Sequence, residues 1–314
     1  MIINNQKLYI AKNINQAYKL QMKFQTSQRP FIGILFFILY TLANQSFAQP
    51  AAYQWFTANG KKTNFKKVLK GSASARVILF GELHTDPISH WMQNHLAQGL
   101  YSQNKKLDLG LEMLETDQQL LVTEYMQGLI SKKNFSDQAR LWGNQSTDYQ
   151  PIMDWAKENH LEVVATNIPR RYANIVFKQG LDILASLPAQ SHALIAPLPI
   201  PVDTTLSQYQ KMRAMMGGHA GANIIYAQAV KDATMAHNIF QHVQSDRQFL
   251  HLHGSYHSDF QQGIPWYLRR IQSDLAIITI ATVYQEELDQ LEDKHLGQAD
   301  FILVVPADMT QTNR

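Results

Sequence analysis

Two short β-type runs, 76–80 and 248–253, each lead directly into a Gly-x-x-His box: Gly81-Glu82-Leu83-His84 and Gly254-Ser255-Tyr256-His257. Glycine at the end of a buried strand lets the chain turn sharply and brings backbone close to a neighbour or ligand. In an open parallel sheet, ligands sit just beyond the carboxyl ends of the strands. Two such boxes at strand exits, far apart in sequence, therefore constrain the chain to a sheet in which both exits open onto one shared site.

Further short runs rich in β-branched and aliphatic residues occur at 107–113, 161–166, 275–281 and 301–305. Helix-length segments at 88–100, 117–128, 149–159, 169–187, 223–243 and 265–272 separate or follow them. This alternation predicts an α/β domain, a mainly parallel sheet flanked by helices. Two stretches break it. Residues 131–148 form a polar insertion. Residues 196–221 begin with Pro197-Leu-Pro-Ile-Pro201 and end with Met212-Arg-Ala-Met-Met-Gly-Gly-His-Ala-Gly221. Proline-rich entry and glycine-rich exit predict a helical excursion or lid over 196–221.

The first 48 residues carry five Lys/Arg and no acidic residue, then the apolar run 31–43, then Ser46-Phe47-Ala48. That is the order of a secretory signal, with an apolar core shorter than the roughly 20 residues of a membrane span. An ordinary signal also begins at Met22. The expected organisation is a signal peptide over 1–48 and one α/β domain over 49–314, exported to the periplasm or associated with the outer membrane. Without the leader, 23 Lys/Arg face 25 Asp/Glu, so no basic stripe points to nucleic acid. The chain has no cysteine, which excludes disulfides, thiol catalysis and a lipid-bearing cysteine; Gln49 stands where that cysteine would be.

The strand ends deliver a consistent polar set: Glu82 and His84, then Glu112 and Glu115, Asn167, and Tyr256 with His257. On the 223–243 helix, Ile225, Ala229, Asp232, Ala236, Ile239 and Val243 share one stripe. Asp232 thus faces the sheet, where an ionised carboxylate needs a partner, and His84 or His257 is placed to be one. Glu82, His84, Glu112, Asp232 and His257 form a nitrogen–oxygen set suited to a divalent metal of unspecified identity or to orienting a water. His251 and His253 alternate with leucines and read as structural, facing a cover helix. His90 and His95 read as core or surface residues. His219 lies in the excursion with Tyr209, Met212, Met215 and Met216, residue types that ligate or line a haem pocket.

Together these segments resemble the ChaN family of haem-binding uptake proteins, in the Tiki superfamily. The matching pieces are Phe80-Gly-Glu-Leu-His-Thr-Asp86, Leu111-Glu-Met113, Asn167-Ile-Pro-Arg170, Ala227-Gln-Ala-Val-Lys-Asp-Ala-Thr-Met-Ala236, and Gly254-Ser-Tyr-His257 with Gly263-Ile-Pro265. The core motifs span 77–268. The resemblance implies an exported haem protein of iron uptake, a tyrosine ligand to haem helped by histidine, and haem placed at a homodimer interface. It also implies contact with haem-uptake machinery at the outer membrane. Tyr209, Tyr226 and Tyr256 are the candidate tyrosines; Tyr209, His219, Met215 and Tyr256 are the expected haem-binding residues. The wider superfamily implies an alternative, a hydrolase of the Tiki-protease or erythromycin-esterase kind using Glu82, His84, Glu112, Asp232 and His257.

Overall fold

Strands β3 (Val77–Glu82), β4 (Leu107–Glu115), β5 (Val163–Asn167) and β6 (Gln248–Gly254) are buried along nearly their whole length. Continuous apolar runs of this kind need cover on both faces, which is the setting of a parallel sheet. The computed structural model describes Lys19 and residues 51–216, 221, 223–243 and 246–312. The chain divides into two compact units, Met1–Ala51 and Ala52–Arg314, and the fold described here is that of the second. The expected leader over 1–48, apart from Lys19, and His219 lie outside the described residues.

Adding β1 (Gln54–Thr57), β2 (Lys62–Thr63), β7 (Ile277–Gln285) and β8 (Phe301–Pro306) gives one eight-stranded sheet of order β2-β1-β8-β7-β3-β6-β4-β5. The six strands from β8 to β5 are parallel, and the β1–β2 hairpin joins antiparallel at the β8 edge. All six strands expected from sequence are present. The hairpin and the helix Phe65–Ser72 were not expected, because four- and two-residue strands carry too little pattern to read.

Residues alternate between two cores as the pleat requires. Ile78 and Phe80 face helices Phe65–Ser72, Pro87–Gln103, Gln119–Met126 and Gln150–Glu158. Val77 and Leu79 face Arg170–Gln179, Asn223–His242 and Ile264–Ile271. Asp86 caps the first helix after β3 by accepting from Ser89 N at 2.6 Å, with Pro87 in its first turn.

The expected 169–187 helix is shorter. Arg170–Gln179 stops at Gly180, whose φ of +86° leaves the helical region, and a 3-10 segment Leu181–Ser186 follows. The polar insertion is partly helical, with Lys132–Gln138 begun by a Ser131 cap and a π-turn at Gln145–Tyr149. Within the excursion, Ser207–Met215 is a helix. Among the described residues no helix is long and apolar enough to cross a membrane.

Trp55 of β1 meets Phe80 of β3 edge to face, ring centroids 6.5 Å apart, which ties the antiparallel edge to the central core. Phe80→Ala would leave a cavity at the centre of the sheet and lower stability by about 3–5 kcal/mol, read from urea unfolding.

Candidate functional site: a strand-end crevice

The chain inserts β6 between β3 and β4, pairing Gly81 with His253 and Glu82 with Gly254. The two Gly-x-x-His boxes therefore lie side by side at the carboxyl edge of the sheet. Glu112 completes the join: its Oε2 accepts from Gly254 N at 2.7 Å, and its Oε1 lies 3.2 Å from His257 Nε2. On the other side of that ring, Nδ1 bonds Asp232 Oδ1, and Gln228 Nε2 approaches Nδ1 at 3.1 Å. Asp232 Oδ2 accepts the Tyr209 hydroxyl at 2.7 Å.

His257 is thus clamped between two carboxylates. Burial disfavours its charge, but Glu112 and Asp232 outweigh burial and raise its pKa to about 10, so both ring nitrogens carry protons at neutral pH. Burial pushes Glu112 up, and His257, His84 and the Gly254 N–H more than reverse it, leaving it well below the usual range. One positive charge cannot compensate two buried anions equally. Asp232, raised by burial and by the nearby Glu112 charge despite His257 and Tyr209, takes the weaker share. The side chain on the inner stripe of the 223–242 segment does find a histidine, and it is His257.

Glu82 and His84 form a second cluster. Glu82 is buried and accepts from Tyr149 Oη at 2.6 Å, Gln93 Nε2 at 2.6 Å and His84 Nδ1 at 2.9 Å. Burial raises its carboxyl, but His90, His84 and Tyr149 outweigh burial and hold it below its ordinary value. Tyr149 in turn is pushed far up, first by burial and then by Glu82. The His84 carbonyl is held by Asn144 Nδ2 at 2.7 Å and His90 Nε2 at 3.2 Å, and its ring meets Trp142 edge to face at 4.8 Å. The next residue, Thr85, accepts at its carbonyl from Thr312 N at 2.8 Å, so the end of the described chain pins the box.

Above this floor opens a cavity of about 930 Å³. Its walls include Trp142, Ile168, Ala173, Phe177, Met212, Met215, Met216 and Ile224, and Arg170, Lys231 and Tyr256 also line it. Tyr256 is 43% exposed and its hydroxyl reaches Met215 Sδ at 3.2 Å. Small-molecule sites run to roughly 300–1,000 Å³, so the space is ample for a large planar ligand.

The structure places the expected residues unequally. Glu82, His84, Glu112 and His257 line the cavity, as do Met215 and Tyr256; Asp232 is buried behind His257. Tyr209, expected as a haem-facing tyrosine, is instead 2% exposed and packed with Ile225 and Ala229, its hydroxyl spent on Asp232. The helix that carries it docks on the domain through that ring. The five-residue metal set meets an obstacle too, since His257 has no free nitrogen. Among the described residues no group of three or more His, Asp or Glu side chains is arranged to hold a metal ion.

His90 is buried and hydrogen-bonded, as a core histidine is expected to be, and its Nδ1 lies 3.5 Å from Glu82 Oε2, so it supports the site. Glu115 is buried, and its carboxylate accepts from the Arg140 guanidinium and from the backbone N–H and side chain of Arg170. His251 and His253 are structural, as expected. His251 Nε2 meets Thr166 Oγ1 at 2.7 Å, and burial, followed by neighbouring histidines, keeps both rings neutral, His253 at about 3. Trp142 and Asn144 were missed because the 131–148 segment reads as a polar insertion, and Tyr149 because the pattern of the expected 149–159 helix does not mark its ring as facing Glu82.

A mostly parallel α/β sheet with a histidine–carboxylate crevice at its strand ends, under an apolar cavity, defines the class. Residues 68–268 match the family model described as haem-binding uptake, Tiki superfamily, ChaN, and the chain belongs to that family. Among solved structures it is similar to ChaN of Campylobacter jejuni, described as binding haem cofacially, at 20% identity over 81% of this chain and 97% of that one, TM-score 0.62. It also aligns with a Bacillus cereus protein at 13% identity over 76% and 90%, TM-score 0.47. An erythromycin esterase in its open conformation aligns at 13% over 80% and 83%, TM-score 0.44. No curated protein sequence matches.

Two outcomes follow from the geometry. A Cβ on Gly254 would stand 2.6 Å from the His84 ring, so Gly254→Ala forces the ring aside and costs about 1–3 kcal/mol in denaturant unfolding. The raised His257 contributes stability in full below its unfolded value of 6.5 and loses it as pH rises through about 10. The melting-temperature gap between wild type and His257→Gln should therefore shrink between pH 6.5 and 10.

Proposed function

We propose that the chain binds haem in the strand-end cavity and serves haem or iron uptake. The observation that carries this is the cavity itself: apolar and thioether walls for a porphyrin face, a polar floor for the iron, and Arg170 and Lys231 for the two propionates. The residues present fit the group. Imidazole, phenol and thioether are all iron ligands, and His84, Tyr256 and the methionines supply one of each kind. Family membership and the haem-binding Campylobacter relative support the same reading.

Met215 and Met216 are 72% and 53% exposed and Phe177 37%, which leaves an apolar mouth that a second copy of the chain would cover. A signal-like 1–48 segment fits an exported handler working in the periplasm or at the outer membrane, passing haem to or from uptake machinery there. One arrangement favours a second reading: His84, oriented by Glu82, has the geometry of a general base, so a hydrolase of the Tiki-protease or esterase kind is the alternative. Turnover of ester or peptide substrates that is lost in His84→Ala and independent of haem would establish it.

Haemin titration of the protein from Gln49 onward should give a saturable Soret change at one haem per chain, and light scattering should show dimer forming with it. Arg170→Ala combined with Lys231→Ala should weaken affinity about three- to tenfold, since partly solvated charge contacts contribute up to about 1 kcal/mol each. A linear, non-saturating Soret response would overturn the proposal.

A further inference from the structure

The near balance of charge beyond the leader conceals an uneven distribution. Residues 49–107 hold eight Lys/Arg and two acids, whereas 108–314 hold 15 Lys/Arg and 23 acids. The two acids of the first stretch, Glu82 and Asp86, are buried at the strand-end site, so none of its carboxylates meets solvent. Lys61, Lys66, Lys67 and Lys70 are exposed, and among the described residues no carboxylate pairs with them. The basic face ends at Lys62, which pairs with Asp289 of the acidic 286–293 loop.

The lysines flank an uncharged helix. Pro87–Gln103 contains no Asp, Glu, Lys or Arg, and Trp91, His95, Gln98 and Ser102 make its outward row. A helix face turned to water ordinarily carries charged side chains. Phe65–Ser72, with three of the lysines, lies against it: Phe65 meets His95 edge to face at 6.4 Å, and a Cβ on Gly99 would stand 2.9 Å from Leu69 Cδ1. Trp91 is 48% exposed, with the Tyr53 ring 6.0 Å away. A slot of about 400 Å³ beside them is lined by Tyr53, Trp55, Phe65 and Lys66 among others.

We propose that this face, built from the Phe65–Ser72 and Pro87–Gln103 helices and the start of β1, docks on an anionic phospholipid bilayer. Lysines carry compact charges on apolar stems that reach a phosphate layer while the stem lies along apolar surface. Tryptophan and tyrosine settle at headgroup level, one end apolar and the other wet. An uncharged row with exposed aromatics calls for a partner with an apolar layer beneath its phosphates; a bilayer has one, and a nucleic-acid duplex, its bases stacked inside, does not. The acidic remainder of the chain is repelled by the same surface, which orients the docked protein. None of these residues lines the strand-end cavity, so the proposal stands apart from the haem reading.

The protein from Gln49 onward, its folding checked by a cooperative thermal melt, is sedimented with vesicles of phosphatidylcholine alone or mixed roughly three to one with phosphatidylglycerol. Should that form fail to melt cooperatively, the full chain carries the same substitutions through the same assay. Binding is expected to the mixed vesicles only, weakening as salt rises. Lys66→Gln, Lys67→Gln and Lys70→Gln combined should lower partitioning on the order of a hundredfold, at roughly fivefold per lysine. The triple change Lys133→Gln, Lys178→Gln and Lys294→Gln, on other surfaces, should leave it unchanged. Trp91→Ala should weaken binding and remove a lipid-induced blue shift of tryptophan fluorescence, which loss of charge attraction alone would not do. Equal binding to both vesicle types, no binding at low salt, or indifference to the first lysine triple overturns the proposal. Binding to duplex DNA with none to vesicles also overturns it and makes the face a polyanion site.

Discussion

A single buried positive charge organises this site. His257 sits between Glu112, on a strand, and Asp232, on the longest helix, and every atom that could be left unsatisfied is taken: Gly254 N–H by Glu112, the second Asp232 oxygen by Tyr209. Removing one member of such a set strands a charge in low dielectric, which costs far more than a surface ion pair contributes. The pairing therefore fixes the distance between the Asn223–His242 helix and the β4 and β6 ends. The wall carrying Ile224, Ala227 and Lys231, and through Tyr209 the Ser207–Met215 helix, take their positions from it.

Around that clamp the crevice separates its chemistry by depth. Carboxylates and imidazoles lie at the floor, where neighbouring strands, the 131–148 insertion and Tyr149 just beyond it satisfy them. Aromatic, aliphatic and thioether groups make the walls, and Arg170 and Lys231 stand among them. Arg170 is shared between cavity and scaffold, since its backbone N–H and side chain also bond Glu115. Rigid polar groups below and soft adaptable groups above suit a ligand with a metal centre and a broad apolar face.

Much of this was legible in sequence because strand ends in a parallel sheet deliver their side chains to one edge. Glu82, His84, Glu112 and His257 were found from that rule alone, and Asp232 from the 3.6-residue stripe of its helix. Tyr209 was misplaced because position in an excursion says nothing about which way a ring points; here Asp232 offered a buried acceptor, and the tyrosine turned inward. Trp142 was hidden for the opposite reason: an insertion rich in Asn, Gln and Ser looks solvated, yet this ring folds back onto the first box, where Tyr149 from the start of the next segment joins it. The short edge hairpin carried no period to detect.

The neighbour relation between β3 and β6 also bears on how the protein comes to exist. Each of their pairs joins residues roughly 170 positions apart, and loop closure of that span must precede any site. Long-range parallel pairing is slow to form. Until β6 arrives, β3 and β4 show each other two open, apolar edges of matching direction, and their direct pairing would make a premature sheet in which Glu112 lacks both the Gly254 N–H and the His257 ring. A buried carboxylate without those partners penalises the wrong sheet, so the acid that builds the finished crevice also guards the order in which its strands assemble.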